Sequence, residues 1–223
     1  MRIDILTLFP EMFAPLTTSL LKRATDKKLL KINLINIRDF SEDKHKKCDD
    51  YPFGGGAGLV MTPQPIVSAI KSIKGYTKAH KIYMSPKGRT INQKLLKEFS
   101  SCEHIIILCG HYEGVDQRVL DKYIDEEISL GDFVLTGGEI PAMALVDGIS
   151  RYIGGVLHNA ESTEDETFSN NSLEYPQYTR PQIFEKMEVP AVLVSGDHRK
   201  IEEWRRKQSE QITMERRPDL KRN

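Results

Sequence analysis

Several features that would assign this chain at once are missing from it. Its three cysteines, Cys48, Cys102 and Cys109, form no C-x-x-C pair. An odd, scattered set gives no disulfide framework, so a reducing, cytoplasmic setting is expected. No apolar run approaches the ~20 residues that cross a bilayer. Met1-Arg2-Ile3-Asp4 carries no signal-peptide pattern, so no membrane association is expected. Neither sign of charge is in excess, since Lys+Arg and Asp+Glu number 32 each. Any affinity for nucleic acid must therefore come from a local patch. Two nucleotide-binding signatures are also absent. The glycines at 54–58 are not followed by Lys-Ser/Thr, and Leu59 stands where the third glycine of G-x-G-x-x-G would be. That argues against a P-loop enzyme and against a Rossmann-type methyltransferase or dehydrogenase. Cys102, His104, Cys109 and His111 are metal-ligand types, but an apolar strand between them puts the two pairs at opposite ends. No metal site is expected, and no internal repeat is visible.

What is present is an α/β pattern. With 223 residues, 39% of them apolar, the chain can build one sizeable core. Residues 2–8 alternate around Ile3 and Ile5 and suit a strand. A helix is predicted from Pro10-Glu11 onward, with Met12, Phe13, Leu16, Leu20, Leu21 and Ala24 at helical spacing on a core face. Ile32, Leu34 and Ile37 give a second strand, which completes the βαβ signature of a parallel sheet. Ten of the thirteen residues at 38–50 are charged or histidine, which predicts a mobile loop. The glycine-rich 51–58 cannot be regular structure. A helix over 63–73, a strand over 81–84 ending in the turn Ser85-Pro86-Lys87-Gly88, and a helix over 92–99 follow.

Residues 104–151 carry the densest signal. Ile105-Ile106-Ile107-Leu108-Cys109 is short, β-branched and bounded by glycine, so it reads as a fully buried strand. After it come the turn Gly110-His111-Tyr112-Glu113-Gly114, a helix over 115–122 and an extended piece over 123–130. Further glycine turns follow at Gly131-Asp132 and Gly137-Gly138, and then a helix to about Ile153. Glycine lets backbone N–H and C=O groups approach a ligand closely. In open α/β sheets ligands sit at the carboxyl ends of strands. The stretch is consistent with a small-molecule pocket made of main chain, or with ordinary turn chemistry.

Tyr51-Pro52-Phe53-Gly54-Gly55-Gly56-Ala57-Gly58, Ser85-Pro86-Lys87-Gly88, Cys109-Gly110-His111-Tyr112-Glu113-Gly114, Ser129-Leu130-Gly131-Asp132-Phe133-Val134-Leu135 and Thr136-Gly137-Gly138-Glu139-Ile140-Pro141-Ala142 stand in one order. So do Tyr175-Pro176-Gln177-Tyr178-Thr179-Arg180-Pro181, Val194-Ser195-Gly196-Asp197-His198 and Glu203-Trp204-Arg205. This ordered set, which runs through essentially the whole chain, resembles the bacterial tRNA (guanine-N1)-methyltransferases. The resemblance implies a parallel α/β sheet with a deep trefoil knot of the SPOUT type over 1–153. A flexible linker over 154–172 and a small, mainly helical tRNA-binding domain over 173–223 would follow. It also implies S-adenosyl-L-methionine as methyl donor, tRNA as substrate and a homodimer with active sites at the subunit interface.

Carried over position by position, the donor contacts fall on Tyr83, Met84, Ser85 and Pro86, and on Gly110, Glu113 and Gly114. They continue on Ser129, Leu130, Gly131, Asp132, Phe133, Val134 and Leu135, and on Gly137, Gly138 and Pro141. Ile128, Leu130, Leu135 and Pro141 would give apolar walls. Glu113 would attract the sulfonium and amino groups, where a plain reading makes it a solvated turn carboxylate.

The reaction needs a base for the guanine N1 proton and a cation or donor for charge gathering on the O6 side. The resemblance places the cationic role on Arg151, which also stands four residues after Asp147, the spacing of a helical ion pair. The family's linker pattern is Asp-Ser-Phe, and this chain has Glu166-Thr167-Phe168 there. Glutamate is one methylene longer, so the linker would sit about 1.5 Å further back. Asp165 is the alternative base, and a plain solvated acidic linker is the alternative to both. Gln177 replaces a histidine that some members carry. From 199 to 223 there are nine Lys/Arg against five Asp/Glu, on a helix predicted over 200–211 and a tail. Such a cluster suits RNA phosphate, although a charged helix face is commonly just solvated. Trp204 is read as packing the small domain. The other readings are a SPOUT RNA methyltransferase with a different target nucleotide, and a non-enzymatic RNA-binding protein.

Overall fold

The computed structural model describes residues 1–157, 167–168 and 171–221. Contacts divide the chain into two units, Met1–His158 and Asn159–Asn223.

The first unit is built on five parallel strands: β1 (Arg2–Thr7), β2 (Lys31–Asn36), β5 (His80–Thr90), β6 (His104–Cys109) and β7 (Glu126–Ser129). Their order across the sheet is β2-β1-β6-β5-β7. The β-branched run of the sequence becomes β6, in the middle. Ile105, Ile107 and Cys109 enter one core cluster, while Ile106 and Leu108 enter the other. A period-two strand buried on both faces is what an unbroken apolar run predicts. On the first face lie α1 (Ser19–Asp26), α3 (Gln93–Ser100) and α5 (Glu139–Ser150), with Leu21, Leu95, Phe99, Leu145 and Ile149 against the sheet. On the second lie α2 (Pro63–Ser72) and α4 (Gln117–Tyr123), through Ile66, Ile70 and Val119. Each fully buried large aliphatic contributes about 1.5–3 kcal/mol.

Four local expectations are corrected. The helix predicted from Pro10 breaks into a 3₁₀ segment, Pro10–Thr17, and α1. Pro15 has no N–H to give, and Thr18 between the two segments is extended. Met12 is 39% exposed and leaves the core. The turn at 85–88 does not end its strand. Ile128 pairs with both Met84 and Arg89, so 85–88 bulge out of β5, which then resumes. Gly88 is required there, because a Cβ would lie 2.3 Å from the Glu127 carbonyl carbon. Helix α4 starts at Gln117 rather than Val115, because the Asp116 carboxylate caps it by accepting from the Arg118 N–H at 3.0 Å.

The charged 38–50 loop is held by its own polar groups. The Asp43 carboxylate accepts from the His45 and Lys47 amides at 2.7 and 3.1 Å. At its end, β3 (Asp49–Asp50) pairs antiparallel with β4 (Val60–Met61), and the glycine stretch 51–58 lies between them.

The second unit contains a hairpin, β8 (Ile183–Phe184) and β9 (Met187–Glu188), and a long helix, α6 (His198–Arg216). The hairpin turn puts Glu185 and Lys186 at positive φ. Helix α6 starts two residues before the predicted 200–211 and runs five beyond it. Asp197 caps it, accepting from the Lys200 N–H at 3.2 Å. Thr213, fully buried, ties it to the entering chain by accepting from the Leu173 N–H at 2.8 Å. Trp204 lies 6.3 Å from the Tyr178 ring, centroid to centroid.

Candidate active site

Three parallel strands end side by side, and their carboxyl ends frame a cavity of about 210 Å³. Strand β5 supplies Tyr83 and Met84, and its bulge supplies Ser85 and Pro86. The turn after β6 supplies Gly110, Glu113 and Gly114, and the segment after β7 supplies Leu130, Phe133, Val134 and Leu135, with Ser129 from the strand itself. The entry to α5 supplies Gly137, Gly138 and Pro141. Only Gly131 and Asp132, among the residues that the resemblance assigns to the donor, are off the wall. Gly131 shapes it from behind. The Ser129 hydroxyl donates to the Gly131 carbonyl at 3.0 Å, and the Phe133 N–H donates to the same oxygen at 2.9 Å. Asp132 is exposed.

The glycines are dictated by close approach. A Cβ on Gly110 would lie 2.6 Å from the Tyr83 hydroxyl, and one on Gly138 would lie 2.8 Å from Cys109 Cα. Burial first, then Glu127 and Cys109, push the Tyr83 hydroxyl up to about 12, so it remains a neutral phenol. Burial, then Glu139, holds the Cys109 thiol well above its ordinary value, which rules it out as a nucleophile near neutrality. Glu113 stands at the opening, and Gly58 of the glycine stretch backs it, since a Cβ there would meet Glu113 Cγ at 2.6 Å. The Glu113 N–H donates to the Leu59 carbonyl at 3.0 Å. Gly58 and Leu59 thereby adjoin the site.

His111, Tyr112 and Thr136 also line the cavity. None of the three was assigned to the donor, although His111 and Tyr112 lie inside the 110–114 turn and Thr136 adjoins Gly137-Gly138. Two further residues had no local signal. Glu139, 1% exposed, accepts from the Thr7 hydroxyl at 2.8 Å and lies 3.1 Å from His111 Nε2.

The family model described as tRNA (Guanine-1)-methyltransferase TrmD matches residues 1–223. The chain belongs to this family. It is thus an enzyme, a methyltransferase that acts on guanine N1 of tRNA. A relative from Clostridium botulinum (strain Kyoto / Type A2) is 58% identical over 99% of this chain and 91% of its own length. One from Clostridioides difficile (strain 630) is 55% identical over 99% of this chain and 97% of itself. One from Clostridium perfringens (strain ATCC 13124) is 57% identical over 99% and 93%. All three are named tRNA (guanine-N(1)-)-methyltransferase.

Within this TrmD chain Arg151 does not line the cavity. Arg151 is the C-cap of α5, exposed. Ten residues separate it from Pro141, the last cavity residue on that helix, or about 15 Å at 1.5 Å per residue. Glu166 and Asp165 lie outside the described residues. Cys102 and His104 stand at the start of β6, and Cys109 and His111 at its end. His104 is engaged with Asp4 at 2.5 Å, and His111 with Glu139. In the second unit the Tyr175–Pro181 motif and Gln177 line a larger hollow of about 830 Å³ with Trp204 and Arg205. The Arg205 guanidinium stacks over the Tyr175 ring at 4.8 Å. No described helix is long and apolar enough to cross a membrane.

Proposed function

We propose that the methyl group comes from S-adenosyl-L-methionine held in the cavity at the ends of β5, β6 and β7, and goes to N1 of the guanosine just 3′ of the anticodon, tRNA position 37. The observation that carries this is the wall itself. Residues from the β5 bulge, the turn after β6, the segment after β7 and the entry to α5 line one hollow, and the resemblance assigns the donor to that wall.

The residues present suit that molecule. Backbone N–H and C=O groups can match the donors and acceptors of adenine. Ile128, Leu130, Leu135 and Pro141 offer apolar contact, and the Glu113 carboxylate at the mouth attracts cationic groups. When bound, the donor supplies an electrophilic methyl carbon on a sulfonium. The chain's own residues do the rest. The cavity orients the methyl toward the mouth. Glu166, or Asp165 one position earlier, takes the N1 proton, and Arg151 offsets charge on the O6 side.

The position of Arg151 supports the dimer reading. Its backbone lies about 15 Å along α5 beyond the cavity's last helical residue, which favours the cavity of another chain over that of its own. A second copy, paired through α5, can bring its own Arg151 and linker. The outer face of α5 carries Ile140, 49% exposed, and Ala144 ahead of Asp147 and Arg151, which favours such pairing. The proposal includes the SPOUT knot over 1–153, a linker over 154–172 and a tRNA-gripping domain over 173–223. In that domain Arg199, Lys200, Arg205, Arg206 and Lys207 on α6 offer cations to phosphate. The enzyme would work in the cytoplasm, where tRNA is.

Calorimetry with S-adenosyl-L-methionine tests the donor site. Saturable binding to the wild type, lost in Gly110→Ala, is expected. Binding unaffected by that substitution would place the donor elsewhere.

A further inference from the structure

Two turns supply eight of the nineteen residues that line the cavity, 110–114 after β6 and 136–138 before α5. They also touch each other. The Gly138 N–H donates to the Gly110 carbonyl at 2.9 Å, and His111 and Gly137 form an isolated antiparallel bridge. A third connection runs beneath them, through side chains. Glu139 Oε1 accepts from the Thr7 hydroxyl at 2.8 Å, and Glu139 Oε2 lies 3.1 Å from His111 Nε2. The Thr7 oxygen in turn accepts from the Phe9 N–H at 2.9 Å, which fixes its hydrogen on Glu139. The Phe9 ring lies 4.8 Å from the His111 ring, and the His111 N–H donates to Met61 Sδ at 3.3 Å. A Cβ on Gly137 would meet His111 Nε2 at 2.4 Å and Glu139 Oε2 at 2.5 Å, so the backbone is pressed directly onto this pair.

Glu139 and Thr7 are 1% and 0% exposed, and neither is on the cavity wall. His111, Gly110, Gly137 and Gly138 are. A buried carboxylate that sits behind the wall and is hydrogen-bonded on both sides cannot touch ligand or reacting atoms. It can hold the wall's two halves at a set spacing. We infer that Thr7, Glu139 and His111 form a buried brace that sets the distance between the two glycine turns, so that Glu139 and Thr7 are positioning residues for methyl-donor affinity and not for the chemical step. The two halves come from chain segments 28 residues apart, and Thr7 anchors them to the end of β1, 132 residues before Glu139. The imidazole and the carboxylate share one hydrogen bond at 3.1 Å, whose donor is set by the tautomer of His111. Preorganised main-chain groups bind well only when their mutual spacing is kept, so loosening the brace weakens donor binding while a bound donor still reacts.

The inference rests on the donor site proposed above. In the full-length enzyme, donor Kd by calorimetry, donor KM, tRNA KM and kcat at saturating donor are measured for the wild type, Glu139→Ala, Glu139→Gln and Thr7→Val, alongside thermal melts. Glu139→Ala is expected to raise donor Kd and KM by about 10–100-fold, the worth of leaving buried hydrogen-bond partners unsatisfied. Its tRNA KM and kcat should stay within a few-fold. Glu139→Gln keeps an acceptor for Thr7 and offers an N–H to His111 in the tautomer whose Nε2 accepts, so it should recover most of the affinity. Thr7→Val removes one bond at nearly constant shape and should raise donor KM severalfold, which keeps the test decisive if the alanine variant does not fold. Lower melting temperatures with unchanged donor Kd and KM in Thr7→Val and Glu139→Ala would reduce the brace to a stability element and overturn the inference. A fall in kcat at unchanged donor Kd would overturn it too. If the wild type itself does not bind the donor, the donor site falls and this inference with it; normal wild-type binding with unaltered variants removes this inference alone.

Discussion

Glu166 and Asp165 differ by one position and one methylene, and the reaction distinguishes them. If Glu166 takes the N1 proton, Glu166→Gln keeps its shape but cannot accept that proton. Single-turnover methyl transfer should then fall by about 10²–10⁴-fold, the usual worth of a positioned base, with donor and tRNA affinity little changed. Asp165→Asn should be mild. The reverse pattern would move the base to Asp165, and two mild variants would remove the carboxylate base altogether. Gly138 gives a second test at this scale. A Cβ there would meet Cys109 Cα at 2.8 Å and the Gly110 nitrogen at 2.9 Å, backbone on both sides. Gly138→Ala should therefore destabilise the fold by about 1–3 kcal/mol in denaturant unfolding. What the sequence conveys at this scale is uneven. The wall glycines were legible because each lies in a turn after an apolar run. Thr7 and Glu139 were not, because residues 132 apart in sequence have no spacing that signals a contact.

Among the elements, β6 was the most legible, since three consecutive isoleucines can be satisfied only by burial on both faces. The bulge in β5 was not, because it depends on Ile128 of β7 pairing twice with the same strand. Pro15 was visible as a helix breaker in the sequence, yet the helical spacing of Phe13, Leu16 and Leu20 masked it. The edge of the sheet also carries a pH-dependent tie. Burial opposes ionisation of Asp125, but the Lys81 ammonium at 2.8 Å and the Lys81 amide at 2.8 Å outweigh it and hold the carboxyl below its ordinary value. A depressed carboxyl contributes stability above its unfolded pKa, about 4, and loses it as the pH falls through the folded value. Asp125→Asn should lower the melting temperature at pH 7 and make no difference well below pH 3. An equal loss at both would mean that charge is not what Asp125 contributes. The effect should be modest, because the pair is partly solvated.

At the scale of the whole molecule, the division of labour is the testable matter. The cavity belongs to the first unit, and Val156 still packs in that unit's core. A chain truncated after Leu157 should bind S-adenosyl-L-methionine and lose tRNA binding. A folded truncation that fails to bind the donor would contradict the separation of roles. On the proposed shared sites, sedimentation should give a dimer at assay concentrations, and a fully active monomer would exclude them. The two-unit organisation was partly legible, from the polar stretch after α5 and the basic cluster on α6. The proposed pairing of subunits has no signature in the residues beyond an apolar helix.

The central claim concerns one atom of one nucleotide. Unmodified tRNA carrying guanosine 3′ of its anticodon is incubated with the enzyme and S-adenosyl-L-methionine, digested, and its nucleosides and fragments are read by mass spectrometry. The account predicts N1-methylguanosine at that position alone, absent without the donor and strongly reduced with Arg151→Ala. A methyl group on another base, another atom or another position, or none at all from a folded, donor-binding enzyme, would contradict it.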